Sequence, residues 1–293
     1  VKPFRPGQNR WFGWDGSVWD LGDRAGGVVF ADGGASGFHT PPFEHHRTTS
    51  PALSGSKWRG VRTEERPVDW NLLVWSDNDS AEWRARDAGF NKTLRPDKTG
   101  VWEHTTPDGE RRYLTLRYEG GEMVSLEKGD PHKAGYSLYQ LQFIAEDPYW
   151  HGEEILRSWQ PTSGSPGTSF FGTSGGPDFT IVPSSDISSA SVPNPGDVSA
   201  WPIWTLIGPL TGINIQFNGG TLVAPDVAAG QTLVINTDPR VATATRNGAD
   251  VMGLMDTWDP RALPAGAETG VSVTVSGVGT VRLSLVPRYY RAW

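Results

Sequence analysis

"YSLYQLQFIAEDPYWHGEE", residues 136–154, is the stretch from which the fold can be worked out. Its first ten residues alternate in polarity. Tyr139, Leu141 and Phe143 fall on one face of a strand, and Leu138 and Ile144 on the other. Both faces are partly apolar, which predicts a strand that is central in its sheet or covered by a partner. Residues 145–154 then gather Tyr149, Trp150, Pro148, His151 and the carboxylates Glu146, Asp147, Glu153 and Glu154. Such a cluster is either an active site or the seam between two domains.

Strand patterns extend on both sides of this stretch. Upstream, "RRYLTLRY" (111–118) sets Leu114, Leu116 and Tyr118 on one face, with turns expected at "PDGER" (107–111) and "EGGE" (119–122). "KWRGVRTEERPVDWNLLVWS" (57–76) reads as one or two strands, and Asp15-Gly16 as a hairpin turn. One helix is predicted, over about 80–94. Asp79 caps it with Glu82 three residues on, Trp83, Phe90 and Leu94 recur near helical spacing, and Pro96 stops it. Residues 36–58, with the Pro41-Pro42 pair, read as a long loop or an arm toward a neighbouring subunit.

Downstream, residues 158–200 turn rich in Ser, Gly, Pro and Thr, and about 158–180 reads as a linker. Strands return after it. "WPIWTLIGP" (201–209) is apolar on both faces, and Asn247-Gly248 closes a strand pair. Val271, Val273 and Val275 are expected to face Val281, Leu283 and Leu285 across a hairpin turned at 277–280. The expected architecture is mainly β. It has an N-terminal β-sandwich with one helix over 1–157 and a C-terminal jelly-roll or galectin-like sandwich over 158–293.

Composition narrows the chemistry. The 293 residues include 36 Gly, 23 Pro and no Cys, so turns are many, and disulfides and Cys-ligated metals are excluded. No apolar run nears the ~20 residues of a membrane span, and the start shows no signal-peptide core. Net charge is −7 with no basic stripe, which argues against sustained nucleic-acid binding. All 6 Lys lie at or before Lys133, and 9 of the 14 Trp lie before residue 151, so the two halves differ in chemistry.

Catalytic readings lack a constellation. Glu64-Glu65, Glu146-Asp147 and Glu153-Glu154 are adjacent pairs, and neighbours on a strand point to opposite faces, unlike a glycosidase pair. Local ion pairing, such as Glu65 with Arg66, accounts for them. His39, His45 and His46 with Glu44 match no zinc spacing and read as a surface loop. There is no G-x-S-x-G nucleophile elbow, and no helix follows "GVGT" as a phosphate loop requires. No catalytic, metal or cofactor residue is assigned. Trp11, Trp14, Trp19, Tyr149 and Trp150 are the candidate subunit-interface or domain-seam residues, since aromatics dominate large interfaces. Exposed Trp residues also leave open a carbohydrate-binding protein with a cell-surface glycan as its partner.

In order, "WDGSVWDL", "EERPVDWNLLVW", the capped helix into "TLRPDKTGVW", "PDGERRYLTLRY" and "FIAEDPYWHGE" resemble the N-terminal domain of siphophage distal tail proteins. "VPNPGDVSAWPIWTLIGPLTG", "LVINTDPR", "RNGADV" and "VPRYYRAW" resemble their C-terminal domain. The resemblance implies a structural virion protein of the tail tip, assembled in the host cytoplasm, with neither enzymatic activity nor cofactor. It implies a homo-hexameric ring joining the tail tube to tip or baseplate proteins and the tape measure protein. DNA would pass through that ring without sequence-specific binding, and no membrane is involved.

Overall fold

The structure is a computed structural model that describes residues 7–123, 129–160 and 186–293. Two compact units emerge: residues 1–151 with 289–293, and residues 152–288. The second unit begins before the expected boundary at 157, because the strand Ile155–Trp159 pairs within it. The expected linker, about 158–180, lies almost wholly outside the described residues.

The first unit contains β1 (Gln8–Phe12), β2 (Val18–Asp20), β3 (Val28–Ala35), β4 (Phe43–Ser50), β5 (Leu53–Thr63) and β6 (Arg66–Trp75). After α1 (Ser80–Asn91) come β7 (Thr99–Thr105), β8 (Arg111–Met123), the single turn α2 (Pro131–Ala134), β9 (Tyr136–Ala145) and β10 (Trp150–His151). One antiparallel sheet runs β2-β1-β7-β8-β9-β6-β3, with β10 added on β8. Strand β9 is central, as its two-faced pattern requires, and pairs with β6 from Arg66↔Ala145 to Trp75↔Tyr136. The sheet curls over itself. Trp11 of β1 meets Trp70 of β6 edge-on at 5.3 Å, and Phe30 of β3 meets Trp102 of β7 at 6.2 Å. Aromatic rings fill the fold because each buries a large area and still packs with directional preference.

Local chemistry sets the helices. The Asp79 carboxylate accepts the Glu82 N–H at 2.7 Å and starts α1. The Thr93 hydroxyl donates to the Phe90 carbonyl at 2.7 Å, and the helix ends at Asn91 rather than near 94. The turn α2 was not expected. Asp130 caps it, Pro131 opens it and Gly135 closes it in the left-handed region at φ 71°.

Two expectations for this unit are corrected. "EGGE" is not a turn: β8 runs through it with a bulge between Tyr118 and Gly120. A side chain at Gly121 would press on the Gln140 carbonyl, so glycine serves close strand approach there. Residues 36–58 are not mainly loop, because β4 and β5 form a separate two-stranded ribbon.

The second unit packs two antiparallel sheets face to face. One orders β11 (Ile155–Trp159), β21 (Thr280–Leu285), β13 (Ile203–Ile207), β16 (Thr232–Asn236), β17 (Thr243–Arg246) and β18 (Ala249–Asp250). The other orders β12 (Asp186–Asn194), β20 (Ala267–Gly277), β14 (Leu210–Phe217), β15 (Gly220–Ala224) and β19 (Thr257–Asp259). The short strand β22 (Arg288–Tyr289) pairs with β10. The Asn247-Gly248 turn joins β17 to β18, both residues at positive φ. The expected hairpin over 271–285 is overturned: β20 and β21 are consecutive but lie in opposite sheets, so their valines and leucines face each other across the core. Strand β13 buries Trp204 and Leu206 on one face and leaves Ile203 and Ile207 half-buried on the other.

Candidate interaction surface

The carboxylates of 145–154 do not converge. Glu146 pairs with Arg117 at 2.7 Å, Asp147 meets His151 Nε2 at 3.0 Å, and Glu154 accepts from the Ser284 hydroxyl. The stretch contributes to the core of the first unit. Trp150 is fully buried and donates Nε1–H to the Gly37 carbonyl at 3.1 Å. Arg66 is buried too and does not pair with Glu65 as expected. Its guanidinium donates to four carbonyls: Pro148 at 2.6 Å, Gly37 at 2.7 Å, Tyr290 at 2.8 Å, and His39. Burial pulls its pKa down to about 10, so it stays charged at neutral pH.

Residues 289–293 are part of this arrangement. Arg112 donates to the Arg291 carbonyl at 2.7 Å and stacks its guanidinium 3.7 Å over the Tyr289 ring. Ala292 is fully buried, and its N–H reaches the Phe38 carbonyl at 2.9 Å. The first unit is therefore completed by residues that follow the second in sequence.

The histidines are dispersed. The His39 ring lies 5.6 Å from Trp293, His45 accepts from Trp58, and His46 is on the opposite face of the ribbon from His45. Among the described residues no His, Asp and Glu set is placed to hold a metal. No helix among them is long and apolar enough to cross a membrane.

The five aromatic candidates divide. Trp11 and Trp150 are core residues of the first unit and have no surface to offer a partner subunit. Trp19 is half-buried against Phe90 of α1. Tyr149 is half-buried, with its hydroxyl donating to Thr63 at 3.0 Å. Trp14 is exposed, with Arg95 5.1 Å over its ring.

The ribbon β4–β5 includes most of the stretch expected to be a loop or an arm toward a neighbouring subunit, and none of its residues was among the aromatic candidates. Every residue of β4 is exposed, and Phe43 (53%), Trp58 (58%) and Val61 (49%) are among the most exposed large apolar side chains. A register shift between His46 and Arg47 decides the face. Val61 opposes His45, yet Trp58, three residues earlier, opposes Arg47. The extra residue rotates Trp58 onto the face of Phe43, His45 and Val61. His45 knits that face together: its ring lies 5.2 Å from Phe43, and its Nδ1 accepts the Trp58 Nε1–H at 3.1 Å. Trp58 and Val61 are three residues apart, so period-2 alternation does not group them, and the prolines and the "SPALSGS" tip read as loop.

No protein-family model matches the chain. Part of it is 24% identical over 134 residues to the minor tail protein Gp27 of Mycobacterium phage L5, a match covering 45% of this chain and 40% of that protein's length. The Dit protein of phage SPP1, described as a paradigm of the hub adsorption apparatus in phages infecting Gram-positive hosts, shares the fold nearly end to end. Its TM-score is 0.62 at 16% identity, over 96% of this chain and 98% of that one. A chain of the phage P2 baseplate, in its activated conformation with Ca, gives a TM-score of 0.54 at 14% identity, over 97% and 98%. The resemblance read from the ordered motifs thus holds in three dimensions, and the chain has the fold of the phage Dit hub proteins.

Proposed function

We propose that this protein is a structural hub of a siphophage tail tip. Six copies close into a ring between the tail tube and the tip or baseplate proteins, with DNA passing through the opening. The observation that carries this reading is the end-to-end match of both units to a tail hub protein, 96% of this chain against 98% of that one. Physical features support it. The end strands of the curled sheet, β2 and β3, meet where the Phe30 N–H donates to the Leu21 carbonyl at 3.1 Å, and a closed ring would cover what that contact leaves of their edges. The net charge of −7 suits a wall that DNA crosses without sticking. Glu146 pairs with Arg117, Asp147 with His151 and His45 with Trp58, and no catalytic role is assigned to them. Tail tube, tape measure and tip proteins are the partners proposed, in the virion after assembly in the host cytoplasm. Exposed Trp14 and half-buried Trp19 and Tyr149 remain the aromatic candidates for contacts with them.

Electron microscopy of the purified protein, with its mass in solution, tests the reading. Six-fold rings with a central hole, or the same rings in isolated tail tips, are expected. A different symmetry in the assembled particle, with no mismatch imposed by a partner, would overturn it.

A further inference from the structure

We infer that Asn247 is a site of spontaneous deamidation, and that Asn218, its counterpart in sequence, is protected by its hydrogen bond. The product is an aspartate or isoaspartate in the turn between β17 and β18. The inference concerns the second unit alone and holds whatever the chain assembles into.

Of the nine Asn in the chain, only Asn218 and Asn247 precede Gly. Glycine has no side chain to shield its backbone nitrogen, so at these two that nitrogen can reach the Asn side-chain carbon. Each pair turns a hairpin: Asn218-Gly219 joins β14 to β15, and Asn247-Gly248 joins β17 to β18. All four residues are exposed, with φ of 47°, 77°, 49° and 82° in chain order. Backbone conformation and exposure therefore do not separate the two turns. Their side-chain partners do. At Asn247 the oxygen is engaged, with Oδ1 accepting the Thr232 N–H at 2.9 Å. At Asn218 the nitrogen is engaged, with Nδ2 donating to the Ala262 carbonyl at 2.6 Å. A backbone N–H can only donate and a carbonyl can only accept, so chemistry fixes which way each amide points.

In the reaction the Gly248 nitrogen gives its proton to a solvent base and bonds to Asn247 Cγ. The Cγ–Nδ2 bond then breaks. Nδ2 takes a proton from water and leaves as ammonia, and a cyclic imide remains. Water opens the imide at either carbonyl, giving aspartate or isoaspartate. The Thr232 N–H sits on the oxygen where negative charge develops, and a donor placed there lowers the barrier. It also serves the product, because an aspartate oxygen accepts the same N–H in a charge-assisted bond. At Asn218 the hydrogen bond holds the leaving nitrogen on an acceptor that has no proton to give. The product there would set a carboxylate against the Ala262 carbonyl, two acceptors with no hydrogen between them.

The test ages the full purified chain at neutral pH, native and in denaturant, and maps its peptides by mass spectrometry. In the native protein the amide-to-acid mass gain is expected at least ~10-fold faster at 247 than at 218, within what one oriented donor does to a barrier. In denaturant, where both hydrogen bonds are lost, the two rates should come together. Equal native rates, a faster change at 218, or a change at 247 no faster than at Asn residues not followed by Gly would each overturn the inference. So would a ratio that persists in denaturant, since sequence and not structure would then be its cause. Two variants read the product side. Asn247→Asp should leave the Tm of the second unit unchanged, and Asn218→Asp should lower it. Equal or reversed shifts would overturn the inference.

Discussion

The two units use the same antiparallel grammar and close their cores differently. The first builds its core on one sheet that must curl, and it fills the bend with Trp11, Trp70, Trp83, Trp102 and Trp150. It then holds passing loops with cationic side chains, Arg66 on four carbonyls and Arg112 on residues 289–291. The second has two sheets that simply face each other, and branched aliphatics such as Ile213, Ile215, Val273 and Leu283 fill the gap with few rings. Two flat layers need only alternating apolar side chains. A curled single sheet needs bulkier wedges, and its buried loops need donors for their carbonyls. The first unit therefore depends on a few specific residues, and the second spreads its stability over many.

That contrast can be broken by substitution, provided the units unfold in separable transitions. Trp70→Ala should cost the first unit about 3–5 kcal/mol, enough to abolish its transition while the second unit melts as before. Loss of both transitions together would show the units to be energetically one. Arg66→Ala should cost the same unit at least about 3 kcal/mol, since buried carbonyls lose their donor. Arg66→Lys should not restore it, because an ammonium lacks the planar fork that reaches several acceptors. Deleting residues 289–293 should lower that same transition, so a fragment ending at 151 is expected to fold poorly. Circular dichroism with intrinsic Trp fluorescence reads all three. Normal melting of the 1–151 fragment would show the return segment to be dispensable.

Smaller effects sharpen the comparison. Asp79→Ala should cost the first unit about 1 kcal/mol through loss of the helix cap, with Asp79→Ser restoring most of it. Acid should separate the units by pH window. Burial, then the charge of Arg112, lowers the His104 pKa below its usual value, so the folded first unit binds its proton less readily than the unfolded chain. Its contribution is complete above about pH 6.5 and is lost as pH falls from there toward the folded pKa. In the second unit burial raises the Asp238 pKa, but hydrogen bonds and charge from Arg240 and Arg288 outweigh it and bring it to about 2. That contribution is held above about pH 4 and lost on falling toward 2; after solvent screening it is on the order of 1 kcal/mol. Melting curves across pH should show the first unit weakening in the higher window. His104→Gln and Asp238→Asn should each flatten one slope, and a slope that persists would reassign it.

Some of this was legible in the sequence and some was not. Period-2 alternation marked β8, β9, β20 and β21, because burying one face of a strand constrains every second residue, and a run apolar on both faces marked β13. Asp79 with Glu82 marked the start of α1, and the order of motifs marked the distal-tail fold. The same alternation misassigned β20 and β21 as one hairpin, since it records which residues are buried but not which strand they bond. "EGGE" misled because glycine serves turns, bulges and close approach alike, and only the neighbouring Gln140 carbonyl distinguishes them. The aromatic candidates were chosen by residue type alone, so core residues Trp11 and Trp150 stood beside exposed Trp14, while Phe43, Trp58 and Val61 went unnamed.

By itself, then, the sequence determined what depends on local pattern and composition: strands, a capped helix, two β halves and no cysteine chemistry. Only the tertiary structure decided which strands share a sheet, that residues 289–293 complete the first unit, that Arg66 gathers four distant carbonyls, and that a bulge turns Trp58 onto one face with Phe43. Those outcomes depend on groups far apart in the chain meeting at hydrogen-bonding distance, and spacing along the sequence does not encode that.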